Sequence, residues 1–516
     1  MYRRLTWTFT VCIALLYLLG TAGVPAWSQE HSDSEQPATH AVQDPTGATH
    51  AAETEHTPAQ QEEHGGHGGF VPHMFWISPF VVLLLCIALL PLIPATAHWW
   101  HHNSSKLTIA LAMAAVTIIY YFLRDTGFHH AEPGIPTVLK VLNHAVIVDY
   151  IPFIVLLFSL YVCSGGINLA GDIRATPRNN ATIIGIGAVL ANVIGTTGAA
   201  MLLIRPLLQI NSERKHVKHT VIFFIFLCCN IGGCLLPIGD PPLFLGYLRG
   251  VPFTWTLQLL PEWLTMTVMI LIIYYVWDMM AYKHETIRDI AHDDAAIKPL
   301  KLTGTLNIVW LIGIVLCVAF MVPGKPFFGL FTTPMFMREL CMLTLVAIAW
   351  ITTSPAIREA NKFDFEAIAE VACLFIGIFI AMQVPVEILN IKGAELGLHA
   401  PWHFYWATGS LSSFLDNAPT YVVFFETAKT LPFAPEHALT LVDGSHISEP
   451  LLIGISIGAV FMGAMTYIGN GPNFMVKSIA ESSGIKMPSF FGYMLYSIGI
   501  LIPPMIIVTL VFLLGH

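Results

Sequence analysis

Two stretches in strongly apolar surroundings interrupt helices in the same way, and they constrain the fold more than any other feature of the chain. Gly463 to Asn473 reads GAMTYIGNGPN, with Gly469, Gly471 and Pro472 where a helix would otherwise continue. At membrane depth such a break is tolerated only where the freed backbone lines a cavity or is buried in protein. An earlier stretch, Gly233 to Pro242, reads GCLLPIGDPP. Setting Gly233 on Gly463 places Gly239 on Gly469, Asp240 on Asn470, Pro241 on Gly471 and Pro242 on Pro472 without a gap. Each is preceded by another interrupted apolar segment, ANVIGTT (Ala191 to Thr197) and LDNAPT (Leu415 to Thr420). Paired Gly/Pro interruptions at corresponding places in two halves are the sequence pointer to a transporter binding site.

Composition agrees with a chain built in lipid. Of 516 residues, 55% are hydrophobic and only 11% charged, which indicates a polytopic membrane protein, so domains cannot be counted from length. The formal charge of -9 owes much to one polar segment near the N-terminus, and no basic stripe points to nucleic acid. Eight of the nine cysteines lie in apolar segments and Cys12 lies near the start; without a CxxC pair they read as small buried hydrophobes.

Residues 1–29 carry Arg3 and Arg4, an apolar run and small residues near Val24 to Ala26, the pattern of a cleavable secretory signal. Residues 30–69 are polar and hold His31, His40, His50, His56, His64 and His67; without an apolar period they are expected to be disordered and periplasmic. From Phe75 onward, spans come in two sets. The first comprises Phe75 to Ala97, Leu107 to Leu123, Ala145 to Cys163, the broken Val221 to Leu248 and Leu257 to Met279, with a re-entrant hairpin at Ala181 to Ile210. The second comprises Leu306 to Val322, Cys341 to Thr352, Ile368 to Leu389, the broken Leu451 to Ile479 and Phe491 to Leu513, with a hairpin at Trp402 to Thr427. The expected fold is all-α: two inverted repeats, 70–282 and 305–516, joined by a cytoplasmic linker over 283–304. Each has five transmembrane helices plus one re-entrant hairpin, with its broken helix at the midplane. An odd number of spans per repeat forces the inversion. Basic residues agree, crowding the predicted cytoplasmic loops (Lys106, Arg174, Arg178, Arg214, Lys215, Lys218, Lys283) and thinning outside.

The residues able to carry chemistry lie at the breaks. They are Asp240 and Asp416 with Asn192, Thr196, Thr197, Asn417, Thr420, Asn470 and Asn473, held by backbone at Gly239, Pro241, Pro419, Gly469, Gly471 and Pro472. A carboxylate within the membrane is a functional hypothesis by default, and one carboxylate can alternate between sodium and a proton. Each of these polar groups also fits as a plain helix cap, and Asp416 before Ala418-Pro419 is a natural N-cap. Glu387, Glu426 and Arg205 are weaker candidates for ion relay or structural pairing. No HExxH, GxSxG or phosphate-cradling loop is present, so an enzyme is not expected. No cofactor or resident metal is expected either.

SSFLDNAPT (Ser412 to Thr420) together with GAMTYIGNGPN resembles the ion transporter superfamily, and most closely its NhaD-type sodium/proton antiporters. The resemblance runs from about Phe75 to the C-terminus. It implies alternating access in a bacterial inner membrane, with elevator-like movement of a hairpin-bearing core, homodimerisation, and sodium or lithium leaving as protons enter. Asp416 and Asp240 would exchange them. Related members include citrate and divalent-anion symporters, whose hairpin tips carry paired Ser-Asn-Thr motifs. Here Asp416 puts a negative charge at one tip, and Ala191-Asn192-Val193 lacks the serine at the other, which favours a cation over a carboxylate cargo. The rivals are a sodium-coupled citrate or dicarboxylate symporter and, from another class, a membrane sensor using the His-rich segment to bind metal or protons.

Overall fold

The structure is a computed structural model that describes residues 70–128, 131–286 and 297–515. The expected signal segment, 1–29, and the His-rich segment, 30–69, lie outside the described residues. Helices dominate, with three small antiparallel two-stranded sheets among the described residues.

In chain order, α1 (Ser78–Leu89) is followed by α2 (Pro94–Trp100), α3 (Asn103–Leu123) and α4 (Ile135–Ser164), which is π-helical over Asn143–Tyr150. Then come α5 (Pro177–Ile210), α6 (Lys218–Cys228), α7 (Pro241–Leu248) and α8 (Leu260–Tyr282). The remaining helices are α9 (Leu306–Phe320), α10 (Met337–Thr352), α11 (Glu366–Ala381), α12 (Gln383–Lys392), α13 (Pro401–Ser412), α14 (Asn417–Lys429), α15 (Glu449–Met462), α16 (Gly471–Ser482) and α17 (Phe490–Val508). Five described helices are long and apolar enough to cross a membrane, or seven if each bent pair counts as one span. Their outer faces expose apolar side chains such as Leu111, Ile119, Ile272 and Leu495, as lipid contact requires.

One expected span is corrected. Phe75 to Ala97 is not one straight crossing, because the chain turns by 102° between the helical stretches Met74–Leu89 and Pro94–Trp100. Pro91 and Pro94 lie at the turn, where each removes an N–H and its ring obstructs a continuing helix.

Both segments expected as hairpins fold back on themselves. Unbroken, the 34 residues of α5 would be about 50 Å long. Yet Asn180 and Asn211 near its ends exchange side-chain hydrogen bonds of 2.8 and 2.9 Å. The fold-back is at Gly195, whose φ of 75° and ψ of 156° are non-helical; a residue with a Cβ would be strained there. In the second hairpin, Phe404 on α13 and Phe424 on α14 bring their ring centroids to 6.2 Å across the turn. The first limb, α13, lies directly against α15, where a Cβ on Gly458 would sit 2.6 Å from the Tyr405 carbonyl oxygen and one on Gly454 would collide with that of Pro401. This is the close backbone approach that small residues four apart allow.

The hairpins enter from opposite ends of the broken pair α6 and α7. Arg214, between the first hairpin and α6, meets Asp278 near the C-terminal end of α8 at 2.6 Å. Arg249, at the end of α7, meets Glu426 near the base of the second hairpin at 3.0 Å. Eleven residues separate the end of α7 from the start of α8, and α8 then runs for about 35 Å over its 23 residues toward Asp278, which sets the two pairs apart. The strand β1 (Asn168–Asp172) pairs antiparallel with β2 (Lys298–Thr303), tying the last residues of the expected linker to the approach of the first hairpin.

Candidate functional site

The two hairpin tips and the two helix breaks meet at Asp240. Its Oδ1 accepts hydrogen bonds from Thr196 Oγ1 and Asn470 Nδ2, both 2.9 Å, and its Oδ2 accepts one from Asn417 Nδ2 at 2.6 Å. Thr196 belongs to the tip of the first hairpin, Asn417 to the tip of the second, and Asn470 to the break between α15 and α16. Asp240 is 1% exposed. No Lys, Arg or His among the described residues forms an ion pair with it, so three neutral donors surround its charge.

Local chain chemistry explains the assembly. The backbone N–H of Thr196, freed by the break at Gly195, donates to the Gly239 carbonyl at 2.9 Å. Asp240 and Asn470 both occupy N-cap positions in extended backbone, φ -139° and -154°, but neither side chain caps its own helix. They bond to each other instead. Pro241 follows at the first position of α7 and Pro472 lies in the first turn of α16, where the missing N–H costs nothing. Glycine is required in both breaks. A Cβ on Gly469 would lie 2.6 Å from the Gly463 carbonyl oxygen, and one on Gly239 would overlap that of Gly233. The same contact thus recurs at the positions that the gapless alignment pairs.

The other expected residues divide into supports and caps. Asn192 Oδ1 accepts from the Leu235 backbone N–H at 2.7 Å, and its Nδ2 donates to the Ala188 carbonyl, so it steadies the first break. Asn473 donates to the Gly463 and Thr466 carbonyls, steadying the second. Asp416 is a cap, its Oδ1 accepting from the Ala418 N–H at 3.0 Å, and Thr420 donates to the Asp416 carbonyl. Pro419 sits in the same first turn. Gly471 begins α16 with open space beside it. Thr197 is half-buried beside Thr196, and no side-chain bond joins it to Asp240.

Asn230 lies outside the sequence motifs, three residues before the first break. Fully buried, it donates to Asn473 Oδ1 at 2.7 Å and to the Ile225 carbonyl at 2.8 Å. Those donor contacts, and the contact of Asn417 Nδ2 with the carboxylate, orient both amides so that Asn230 Oδ1 and Asn417 Oδ1 accept no hydrogen bond. The two side chains flank Gly463, where a Cβ would lie 3.0 Å from Asn230 Oδ1 and 3.6 Å from Asn417 Nδ2. A carboxylate with two buried, unpartnered amide oxygens nearby is a donor set for a hard cation, which prefers oxygen ligands. Nowhere among the described residues do three or more His, Cys, Asp or Glu cluster as a metal site.

The weaker candidates lie in ion pairs or backbone contacts. Glu387 pairs with Arg124 at 2.9 Å, Glu426 with Arg249, and Arg205 Nε donates to the Asn361 carbonyl. A family model described as "Putative citrate transport" matches residues 71–513. No curated protein matches the chain.

Proposed function

The chain belongs to the citrate-transport family, and from that premise we propose that it is a secondary transporter in which Asp240 exchanges sodium for a proton. Asp240 carries this reading. A carboxylate buried among four converging elements without a basic partner is costly as a bare charge, and three neutral donors offset only part of that cost. A proton or a small cation would each neutralise it, and a single negative charge is cancelled by one of them at a time. Asn230 and Asn417 hold two unpartnered amide oxygens, the ligand type that a hard cation takes. Competition follows: the apparent KM for sodium should rise as pH falls.

The proposed frame is two inverted halves, 70–282 and 305–516, and alternating access moves the hairpins and broken helices together. Entry of the hairpins from opposite ends supports it. The proposed setting is a bacterial inner membrane with a periplasmic mature N-terminus, sodium or lithium outward against protons, and a homodimer, in line with NhaD-type antiporters.

A second reading, sodium-coupled citrate or dicarboxylate symport, is favoured by the description of the matching family. Liposomes holding the purified protein and a trapped pH dye separate the two. Under an inward-acid gradient, sodium should dissipate the gradient in wild type and fail to do so in Asp240→Asn, whereas Asp416→Asn should retain exchange. A response to citrate with sodium, and none to sodium alone, would replace antiport with symport.

A further inference from the structure

Away from Asp240, a cavity of about 710 Å³ opens near the base of the first hairpin. Arg205, Arg214, Lys215, Lys218, Lys362 and Lys486 line it, and among the described residues no Asp or Glu does. Arg214 is committed to Asp278. Lys218, Lys362 and Lys486 are exposed, and none forms an ion pair among the described residues. One further feature favours negative charge there. The eleven-residue α6 starts at Lys218, so its N-terminal dipole and first unpaired N–H groups face this end. Lys362 holds a positive φ of 47°, a conformation few side-chain-bearing residues adopt, in a loop where its N–H donates to the Glu359 carbonyl.

The cavity's walls come from the same elements that build the Asp240 site. Arg205 is on the second limb of the first hairpin, which begins at Thr196; Lys218 opens α6, which leads to Asn230; Ser482, also lining the cavity, ends α16, which begins at Asn470. Each path is about 13–18 Å of helix. Lys362 alone comes from a segment that sends no residue to Asp240.

We propose that this cavity binds a multivalent oxyanion, the phosphate or carboxylate groups of a soluble compound or of a lipid headgroup, which bridges the site-bearing elements to the Lys362 loop. Several ammonium and guanidinium donors around one space suit an anion bearing several oxygens. The site stands independently of which ion Asp240 carries.

The test uses full-length protein in neutral detergent at fixed ionic strength, with pyrophosphate, citrate or phosphatidylglycerol added in turn and thermal unfolding followed. At least one probe should raise Tm saturably. Its apparent Kd should rise about tenfold or more in a Lys218→Gln, Lys362→Gln, Lys486→Gln protein. Loss of a pyrophosphate or citrate effect assigns a soluble ligand, and loss of a phosphatidylglycerol effect alone assigns a lipid. Failure of every probe to stabilise wild type, or equal affinity in the substituted protein, overturns the proposal. The three lysines are exposed, so the unliganded Tm should change little; Lys362→Gln alone, with a weaker loss expected, serves if the combined protein does not fold.

Discussion

At the scale of single residues, the arrangement separates groups that hold the charge of Asp240 from groups that hold the backbone around it. Removing Thr196 Oγ1 by Thr196→Val leaves one carboxylate oxygen with a donor fewer, and a lost charge-assisted bond in a buried site costs about 1.5–3 kcal/mol. The bare carboxylate, present only while cargo is exchanged, is then less stable than either neutralised state. Thr196→Val should slow sodium/proton exchange at least tenfold with little change in the amount of folded protein, read from dye-loaded liposomes and size-exclusion yield. Asn192→Ala should do the reverse, lowering yield first, because it deprives the Leu235 N–H of its partner. Asp240 and Asn470 were legible in the sequence because they occupy matching positions in two breaks. The Asn230–Asn473 bond was not, because Asn230 aligns with Val460 and lies outside both motifs, so only the Asn473 end of the bond stands in a break. Asp416 stood out as an acid at a break, yet its side chain takes the plain capping role that its place before Ala418-Pro419 suggests.

At the scale of elements, backbone geometry decides what hydropathy cannot. Apolar content marked where α1 and α2 lie but carried no direction, so the 102° turn between them had to be read from Pro91 and Pro94. The first hairpin shows the converse. As one 34-residue run it is long enough to span and would be counted as a crossing, whereas Gly195 and the Asn180–Asn211 pair fold it back on itself. Cysteines placed at Arg178 and Ser212, just outside the two limbs, should therefore react with a membrane-impermeant maleimide from the same face. Labelling from opposite faces would mean a full crossing. The breaks themselves tolerate no side chain at their contact points. Gly469→Ala places a methyl 2.6 Å from the Gly463 carbonyl oxygen, a backbone atom that cannot swing aside, and should lower Tm and exchange together.

At the scale of the whole molecule, the ion pairs sort by end in a way that hydrophobic length alone would not show. Lys106 at the start of α3 meets Glu370 at 2.8 Å, and Arg124 at its far end meets Glu387. The pairs thus lie on opposite sides of a 21-residue helix, about 30 Å long and matched to a hydrocarbon core. Glu370 and Glu387 in turn lie on α11 and α12, so this bent pair runs alongside α3 with its charged ends held at the same two levels. Charged groups prefer the interfaces, which places the membrane between these two levels. Inversion then makes a prediction that a direct repeat does not. Positions following the first hairpin and those following the second must face opposite compartments, because the hairpins meet the break at Asp240 from opposite ends. In inverted or right-side-out vesicles of one orientation, a cysteine at Lys215 should label only from the side that also reaches Lys486. A cysteine at Gly444, beyond the second hairpin, should label only from the other. Labelling of Lys215 and Gly444 from one face would place both hairpins on the same side and leave the site without the two-sided access that exchange requires.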